Sequence, residues 1–202
     1  MACICGIISL IVQFAVLGLV LAGILLDEFR PRNADQYPDK GKFYITLWGV
    51  KDNLYKHNYK YKPSDLWSEC SSRVNHFKIA ACMAIIAVII AVVRTLLGIL
   101  HTCCCCICVC IILPIVSSVG TVAGAISIGY MLFDYKNFIT ISDVPLVKNY
   151  INNPLNQCVK LEIYTGPLGL YKDGMEIGLG LKLFIAGCAL NTLNISIASI
   201  PL

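Results

Sequence analysis

Four long apolar stretches constrain the fold of this chain more than any other feature of its sequence. They lie at Ile4–Leu26, Ile79–Leu100, Ile107–Phe133 and Ile177–Ile200. A helix of roughly 20 apolar residues is needed to cross the hydrocarbon core of a membrane, and each stretch is long enough. Only 14% of the residues of the chain are charged, whereas about a quarter of the residues of a soluble domain are charged. We therefore predict one integral membrane domain over residues 1–202, with four spans.

The two long loops are expected to share one side of the membrane, because two spans lie between them. The two ends of the chain then share the other side. These loops are residues 27–78 and 134–175. The first apolar stretch is expected to be retained, since it is longer than a signal core and no basic residue precedes it. The chain has a net charge of +4, but its Lys and Arg are spread over loops rather than gathered in a basic patch. A nucleic-acid partner is therefore not expected.

Charge and cysteine placement give opposite indications of which side the loops face. The loops hold most of the Lys and Arg, which by the positive-inside rule favours the cytosol. They also hold one cysteine each, Cys70 and Cys158, as expected for a disulfide in an oxidising space. Most other cysteines lie near the opposite face, where the cytosol would keep them reduced. We expect the loops outside the plasma membrane, the termini in the cytosol, and a Cys70–Cys158 disulfide.

Both loops contain residues that alternate with a period of two, which is typical of a half-buried strand. Aromatic side chains alternate with Lys or Asn over Tyr55–Lys62, and apolar and polar residues alternate over Val159–Tyr164. We predict that these segments join one small antiparallel sheet above the helices. The predicted fold is therefore an all-α membrane four-helix bundle with a small extracellular antiparallel β-sheet. The Lys56, Lys60 and Lys62 side is a candidate basic face, or simply a solvated face of the strand.

Small and polar residues recur at intervals of three and four along each span, which places them on one helix face. Because lipid gives no hydrophobic drive for helix association, such faces allow close packing in a bundle. The spacing of Gly120 and Gly124 fits this internal role or the contact of a homo-oligomer. The faces comprise Ala15, Gly18 and Ala22; Ala80, Ala84, Ala87, Ala91 and Gly98; Ser117, Gly120, Gly124 and Ser127; and Gly187, Asn191, Asn194 and Ala198.

Arg94 lies on the small-residue face of the second span. A charged side chain within the bilayer is costly unless it finds partners. Arg94 and Asn194 lie at the same distance from the ends of their spans, so we predict a hydrogen bond between them, with Asn191 as a further candidate. The alternative is an Arg94 side chain that extends to the lipid headgroups without a specific partner.

A run of cysteines occupies the short connection between the second and third spans. Three interpretations remain open: acylation, inert thiols and metal binding. Cysteines beside a span are usual sites of palmitoylation. The run lacks two Cys-x-x-Cys steps separated by a loop, which would favour a zinc site. We therefore favour lipidation and predict no metal. The candidates are Cys3, Cys5, Cys103, Cys104, Cys105 and Cys106.

The segment Phe43–Asn53, which reads FYITLWGVKDN, contains the most specific motif of the chain. It resembles the amastin signature, Cys-x-Thr-Leu-Trp-Gly-x-Lys-x-x-Cys, found in surface proteins of trypanosomatid parasites. The two cysteines of the signature are replaced by Tyr44 and Leu54, so the disulfide that they would supply is missing. The residues that match the pattern are Thr46, Leu47, Trp48, Gly49, Lys51 and Asn53.

The amastin resemblance implies a non-enzymatic surface protein with outward loops, acting in host–parasite or membrane–membrane contact. Its expected partners are membrane lipids and a surface molecule of a host cell or of the same family. No catalytic residues and no cofactor are expected, since His57, His76 and His101 are dispersed. The four-span topology also resembles that of claudin-like proteins, as does Leu66–Cys70, so a pore or barrier former is the alternative. In either case we expect Trp48 to be structural and Lys51 to be solvated.

Overall fold

The computed structural model describes residues 2–32, 43–52, 58–68, 70–104, 107–137, 160–164 and 173–198. Four of the described helices are long and apolar enough to cross a membrane by length and composition. The predicted fold class is confirmed, because these helices accompany a small antiparallel sheet. The four long helices are α1 (Ala2–Leu25), α3 (Ser71–Cys104), α4 (Ile107–Lys136) and α5 (Leu179–Ala198), and a short helix, α2, spans Pro63–Leu66.

The long helices pack in a ring, in which each one has two principal neighbours. Helix α1 contacts α3 and α5, and α4 contacts the same two helices from the other side. Helix α3 begins eight residues before the predicted span. This extra part stays helical because Val74 and Phe77, three residues apart, are both buried and lie on one face of the helix. The second span thus reaches up beside the loops.

The predicted small-residue faces are confirmed for α3, for α4 and, as far as Asn194, for α5, whereas the face predicted for α1 is wrong. Ala80, Ala84, Ala87 and Ala91 are all buried, and in α4 a Cβ on Gly120 would lie 2.9 Å from Ile90 Cγ2, so this face packs inside the bundle. In α1 the predicted Ala15 and Gly18 are exposed. The buried face of α1 instead contains Gln13, Val16, Val20, Gly23 and Ile24.

The sheet has four antiparallel strands in the order β3-β2-β1-β4. Strand β1 follows α1 directly and β4 leads directly into α5, so the sheet continues the ends of two neighbouring helices. The Gly178 amide donates to the Glu28 carbonyl at 2.7 Å and extends this pairing. The strands are β1 (Phe29–Pro31), β2 (Tyr44–Thr46), β3 (Gly49–Lys51) and β4 (Met175–Ile177).

Both predicted strands of the alternating segments need correction. Residues 53–57 lie outside the described residues, and residues 58–62 are exposed and make only a single bridge, from Tyr61 to Val50. Leu161–Ile163 is a 3-10 helix, in which residues three apart lie on the same side. Leu161 and Tyr164 are accordingly both buried. We refer to the sheet, α2 and this 3-10 helix together as the cap.

Candidate functional site

The motif that resembles the amastin signature forms a tight hairpin from β2 to β3. Ile45 pairs with Val50, and Leu47 and Trp48 make the turn. The Thr46 hydroxyl donates to the Gly49 carbonyl at 2.8 Å and accepts from the Trp48 amide at 3.2 Å. Side-chain and backbone hydrogen bonds therefore close this turn, at the place where the chain lacks the family's cysteines.

Gly49 is required by the backbone of this hairpin. Its φ of +151° is one that side-chain-bearing residues rarely adopt. A Cβ at Gly49 would also collide with the Tyr61 carbonyl oxygen and approach the ring of Tyr59. The segment that follows the hairpin therefore comes close to the backbone at Gly49.

Trp48 connects the hairpin to the first membrane helix. Its indole Nε1 donates to the Ile24 carbonyl at 2.8 Å. Because α1 ends at Leu25, this carbonyl belongs to the last turn, where helix carbonyls lack intrahelical partners. The ring itself is only half-buried. Trp48 therefore caps α1 while part of its ring stays exposed on the protein surface.

Lys51 is not the solvated residue that the sequence predicted. It is only 7% exposed, and its ammonium group lies 4.9 Å from the centre of the Tyr59 ring. Such cation–π contacts are stabilising when the cation is shielded from water. Lys51 therefore joins the hairpin to the following segment. Asn53, the last residue of the motif, lies outside the described residues.

Two carboxyl groups are buried at the junction between α1 and the sheet. Asp27 and Glu28 are each only 1% exposed. Burial raises the pKa of Glu28 well above its ordinary value, and the neighbouring Asp27 raises it further. Burial also raises the pKa of Asp27. The Gly180 amide donates to the Asp27 carbonyl at 2.8 Å, so these side chains are held where α5 begins.

The raised pKa of Glu28 predicts that acid stabilises the fold. A folded-state pKa above the unfolded value means that the native protein holds the extra proton. This contribution to the free energy of unfolding is complete below the unfolded pKa and is lost as pH rises through the folded pKa. We expect Glu28→Gln to raise the melting temperature near pH 7.5 by about 2 to 4 °C for each kcal/mol of relieved charge burial.

The matched control for this test is Glu176→Gln, which changes a carboxylate that is 41% exposed and paired with Arg30 at 2.7 Å. Thermal unfolding in detergent should be followed between about pH 4.5 and pH 8. The control relieves no buried charge and should not raise the melting temperature near pH 7.5, while Glu28→Gln should flatten the parent's pH profile. An unchanged profile in Glu28→Gln would show that this carboxyl does not titrate in the folded protein as described.

A charged cluster that the sequence did not predict joins the ends of α3 and α4 that lie beside the cap. His76 Nδ1 lies 2.7 Å from Asp134 Oδ1, and the Asp134 side chain is fully buried. Arg73 is also fully buried, with its guanidinium 5.6 Å from the centre of the Trp67 ring. The sequence signal for this cluster is an Arg, a His and an Asp at the ends of adjacent spans. It was missed because the three histidines of the chain are far apart in the sequence.

The polar contacts within the bundle differ from the predicted pair. Arg94 and Asn194 do not bond to each other but meet at Gln13 of α1. Arg94 Nη1 donates to Gln13 Oε1, and Asn194 Nδ2 donates to the same oxygen at 3.1 Å. Asn194 also exchanges hydrogen bonds with Ser9 at 2.9 and 3.1 Å. The cluster therefore joins three helices, α1, α3 and α5.

Asn191 makes the connection to the fourth helix. Its Nδ2 donates to the Ser117 carbonyl at 3.1 Å and to Thr121 Oγ1 at 2.8 Å. It thus binds α4 instead of Arg94. Asn194 is fully buried and takes part in the helix contacts described above.

The candidate cysteine sites are described only in part. Cys70 is buried and disulfide-bonded, whereas Cys158 lies outside the described residues, so their pairing stays a prediction. Cys105 and Cys106 also lie outside the described residues, and the side chains of Cys3, Cys5, Cys103 and Cys104 are not described. Lipidation of these six cysteines therefore also stays a prediction.

The candidate basic face is rearranged in the structure. Lys56 lies outside the described residues, and Lys60 forms an ion pair with Asp52 at 3.5 Å. Lys62 instead lies with Lys78 of α3 on a surface groove of about 530 Å³. The residues that line this groove, which we call the Trp48 groove, are Trp48, Asn58, Tyr59, Lys62, Pro63, Ser64 and Lys78.

Comparison with known proteins identifies the family of this chain. Neither the curated proteins nor the solved structures include a match. The family model described as Amastin surface glycoprotein matches residues 14–197, more than nine tenths of the chain. This match begins in α1, directly after Gln13, and reaches into the end of α5, so it includes the hairpin and the polar residues of α3, α4 and α5. The chain belongs to the amastin family of surface membrane proteins.

Proposed function

We propose that this protein is a non-enzymatic component of the plasma membrane that makes contact with a host or neighbouring membrane through its cap. In this proposal the two long loops face outward and the termini face the cytosol. Membership of a surface protein family supports this orientation. The disulfide at Cys70 supports it as well, because disulfides persist in oxidising compartments.

The Trp48 groove is the observation that carries the proposal. Lys62 and Lys78 are both exposed and line the same groove. Among the residues that the structure describes, neither of these lysines forms an ion pair. Two uncompensated ammonium groups beside the rings of Trp48 and Tyr59 suit an anionic group on an apolar or sugar framework.

The position of the groove indicates where this anionic group would come from. Trp48 is bonded to the end of α1, and Lys78 precedes Ile79, whose side chain is 40% exposed on the apolar part of α3. Tryptophan and lysine at the ends of spans lie at the level of lipid headgroups. The groove therefore lies where the cap meets the membrane surface, and we propose phosphate or carboxylate groups of surface molecules as its ligands.

The test is binding of anionic vesicles to the protein held in nanodiscs of neutral lipid, which removes anionic lipid from its own bilayer. Each lysine near an anionic surface contributes about 1 kcal/mol. The double variant Lys62→Ala/Lys78→Ala should therefore weaken binding roughly 30-fold. Lys60→Ala is the matched control and should change binding much less, because Asp52 already compensates Lys60.

Vesicles that bear phosphatidylserine and vesicles that bear sialylated glycolipids distinguish phosphate from sugar carboxylate as the recognised group. Equal binding by the parent and the double variant to both would contradict a role for the groove. The claudin-like alternative predicts a different result: an ion-selective current across reconstituted bilayers that reverses its selectivity when Lys60 and Lys62 are both changed to Glu.

A further inference from the structure

A small cavity lies in the centre of the helical bundle, between all four long helices. Its volume is about 20 Å³, which is enough for one water molecule or one ion of similar size. Most of its wall is apolar, formed by residues such as Val16, Val20 and Ile90. Its polar lining consists of Arg94, Ser117, Thr121 and Asn191.

Three polar groups beside this cavity lack a hydrogen-bond partner among the described residues: two N–H groups of Arg94 and the hydroxyl of Ser117. The Arg94 side chain is 2% exposed, and its Nε and Nη2 have no hydrogen-bond partner in the described part of the chain. The Ser117 hydroxyl is fully buried and has none there either. By contrast, Thr121 and the Asn191 amide nitrogen are already bonded to one another and to the Ser117 carbonyl.

Arg94 also forms no ion pair within the described part of the chain. Its one bonded partner, Gln13, is neutral, and the sequences of the four helices contain a single carboxylate, Asp134. Asp134 follows Ser117 by seventeen positions on α4, a separation of about 25 Å at 1.5 Å per residue. A buried cation without a counter-charge is strongly unfavourable in a medium of low dielectric constant.

We propose that this cavity binds one small monovalent anion, with chloride as its physiological occupant. The anion would accept hydrogen bonds from Arg94 Nε and Nη2 and from the Ser117 hydroxyl, and it would neutralise the guanidinium. These donors come from α3 and α4, and Gln13 links Arg94 to α1, so the anion would strengthen the association of the helices. This inference concerns the interior of the bundle and is independent of the function proposed for the cap.

The direct test is equilibrium binding of radioactive chloride to the purified protein in detergent, in a gluconate buffer of constant ionic strength. The parent protein should bind one chloride per chain, and Arg94→Met should bind none. Lys182→Gln is the matched control, because it removes an exposed positive charge of α5 and should bind as the parent does. Chloride should also raise the melting temperature of the parent by several degrees and leave that of Arg94→Met unchanged.

Ser117→Ala keeps the test decisive if Arg94→Met fails to fold. This change removes a hydroxyl that bonds to nothing in the described part of the protein, so folding should be retained. A lost hydrogen bond to a charged group should weaken chloride binding about tenfold or more. Absence of chloride binding by the folded parent would show that the cavity holds water only. Unchanged binding in Ser117→Ala would also overturn the proposed site.

Discussion

Replacement of Gln13 by leucine is expected to destabilise the bundle by about 3 to 5 kcal/mol, because it leaves buried donors without an acceptor. Gln13 Oε1 accepts hydrogen bonds from both Arg94 and Asn194. Gln13 Nε2 lies 3.4 Å from the Ala91 carbonyl, to which it donates. Leucine would fill the space but could make none of these bonds. Reversible unfolding of the purified protein in mixed micelles would measure the change.

Phe14→Leu provides the matched control for Gln13→Leu, because Phe14 is the next residue on α1 and is 52% exposed on the apolar surface. This control should lose less than about 1 kcal/mol. The double variant Gln13→Leu/Arg94→Met should recover part of the loss, because it removes an unpaired donor together with its acceptor. Equal stability of Gln13→Leu and Phe14→Leu would contradict the three-helix polar cluster.

Replacement of Gly23 by alanine is expected to separate α1 from α5 at a loss of about 3 kcal/mol or more, since overpacking against backbone is difficult to relieve. A Cβ at Gly23 would lie 2.8 Å from Phe184 Cβ and 2.9 Å from the Phe184 Cα and backbone nitrogen. No rotation of a side chain can move these atoms away. The helices would have to shift at the point where both enter the cap.

Gly18→Ala is the matched control on the same helix. A Cβ at Gly18 has no neighbour within 4 Å, so the substitution should be neutral or stabilise α1 by about 0.5 to 1 kcal/mol. Expression level and melting temperature of the two variants should therefore change in opposite directions. If Gly23→Ala were as stable as Gly18→Ala, the close contact of α1 with α5 would be wrong.

The sequence predicted the four spans and the side of α3 that faces the bundle, because both follow from length and periodicity. It also placed Arg94 inward, since Arg94 lies between Ala91 and Gly98 on that side. It did not predict Gln13 as the partner of Arg94. A single glutamine in an apolar stretch gives no indication of its partner, and the rotation of α1 was assigned from small residues that in fact face outward.

The sequence was less informative about the cap, where strands are only three residues long. The period-two alternation over Tyr55–Lys62 predicts a strand with one buried side, but Tyr59 and Tyr61 are 40% and 38% exposed. Tyr59 lies over Lys51 at the edge of the sheet instead. Two of the four strands, β1 and β4, directly continue α1 and lead into α5. Each strand has only three residues, which are too few to show a periodic pattern.

The proposed function depends on a cap that faces the outside of the cell, and thiol labelling tests this orientation most directly. Ser64 is exposed on α2, so a Ser64→Cys variant offers an accessible thiol. When intact cells are treated with a membrane-impermeant maleimide, this variant should carry much more label than the parent protein, without permeabilisation of the cells. Reaction above the parent only after permeabilisation would place the cap in the cytosol and contradict the account.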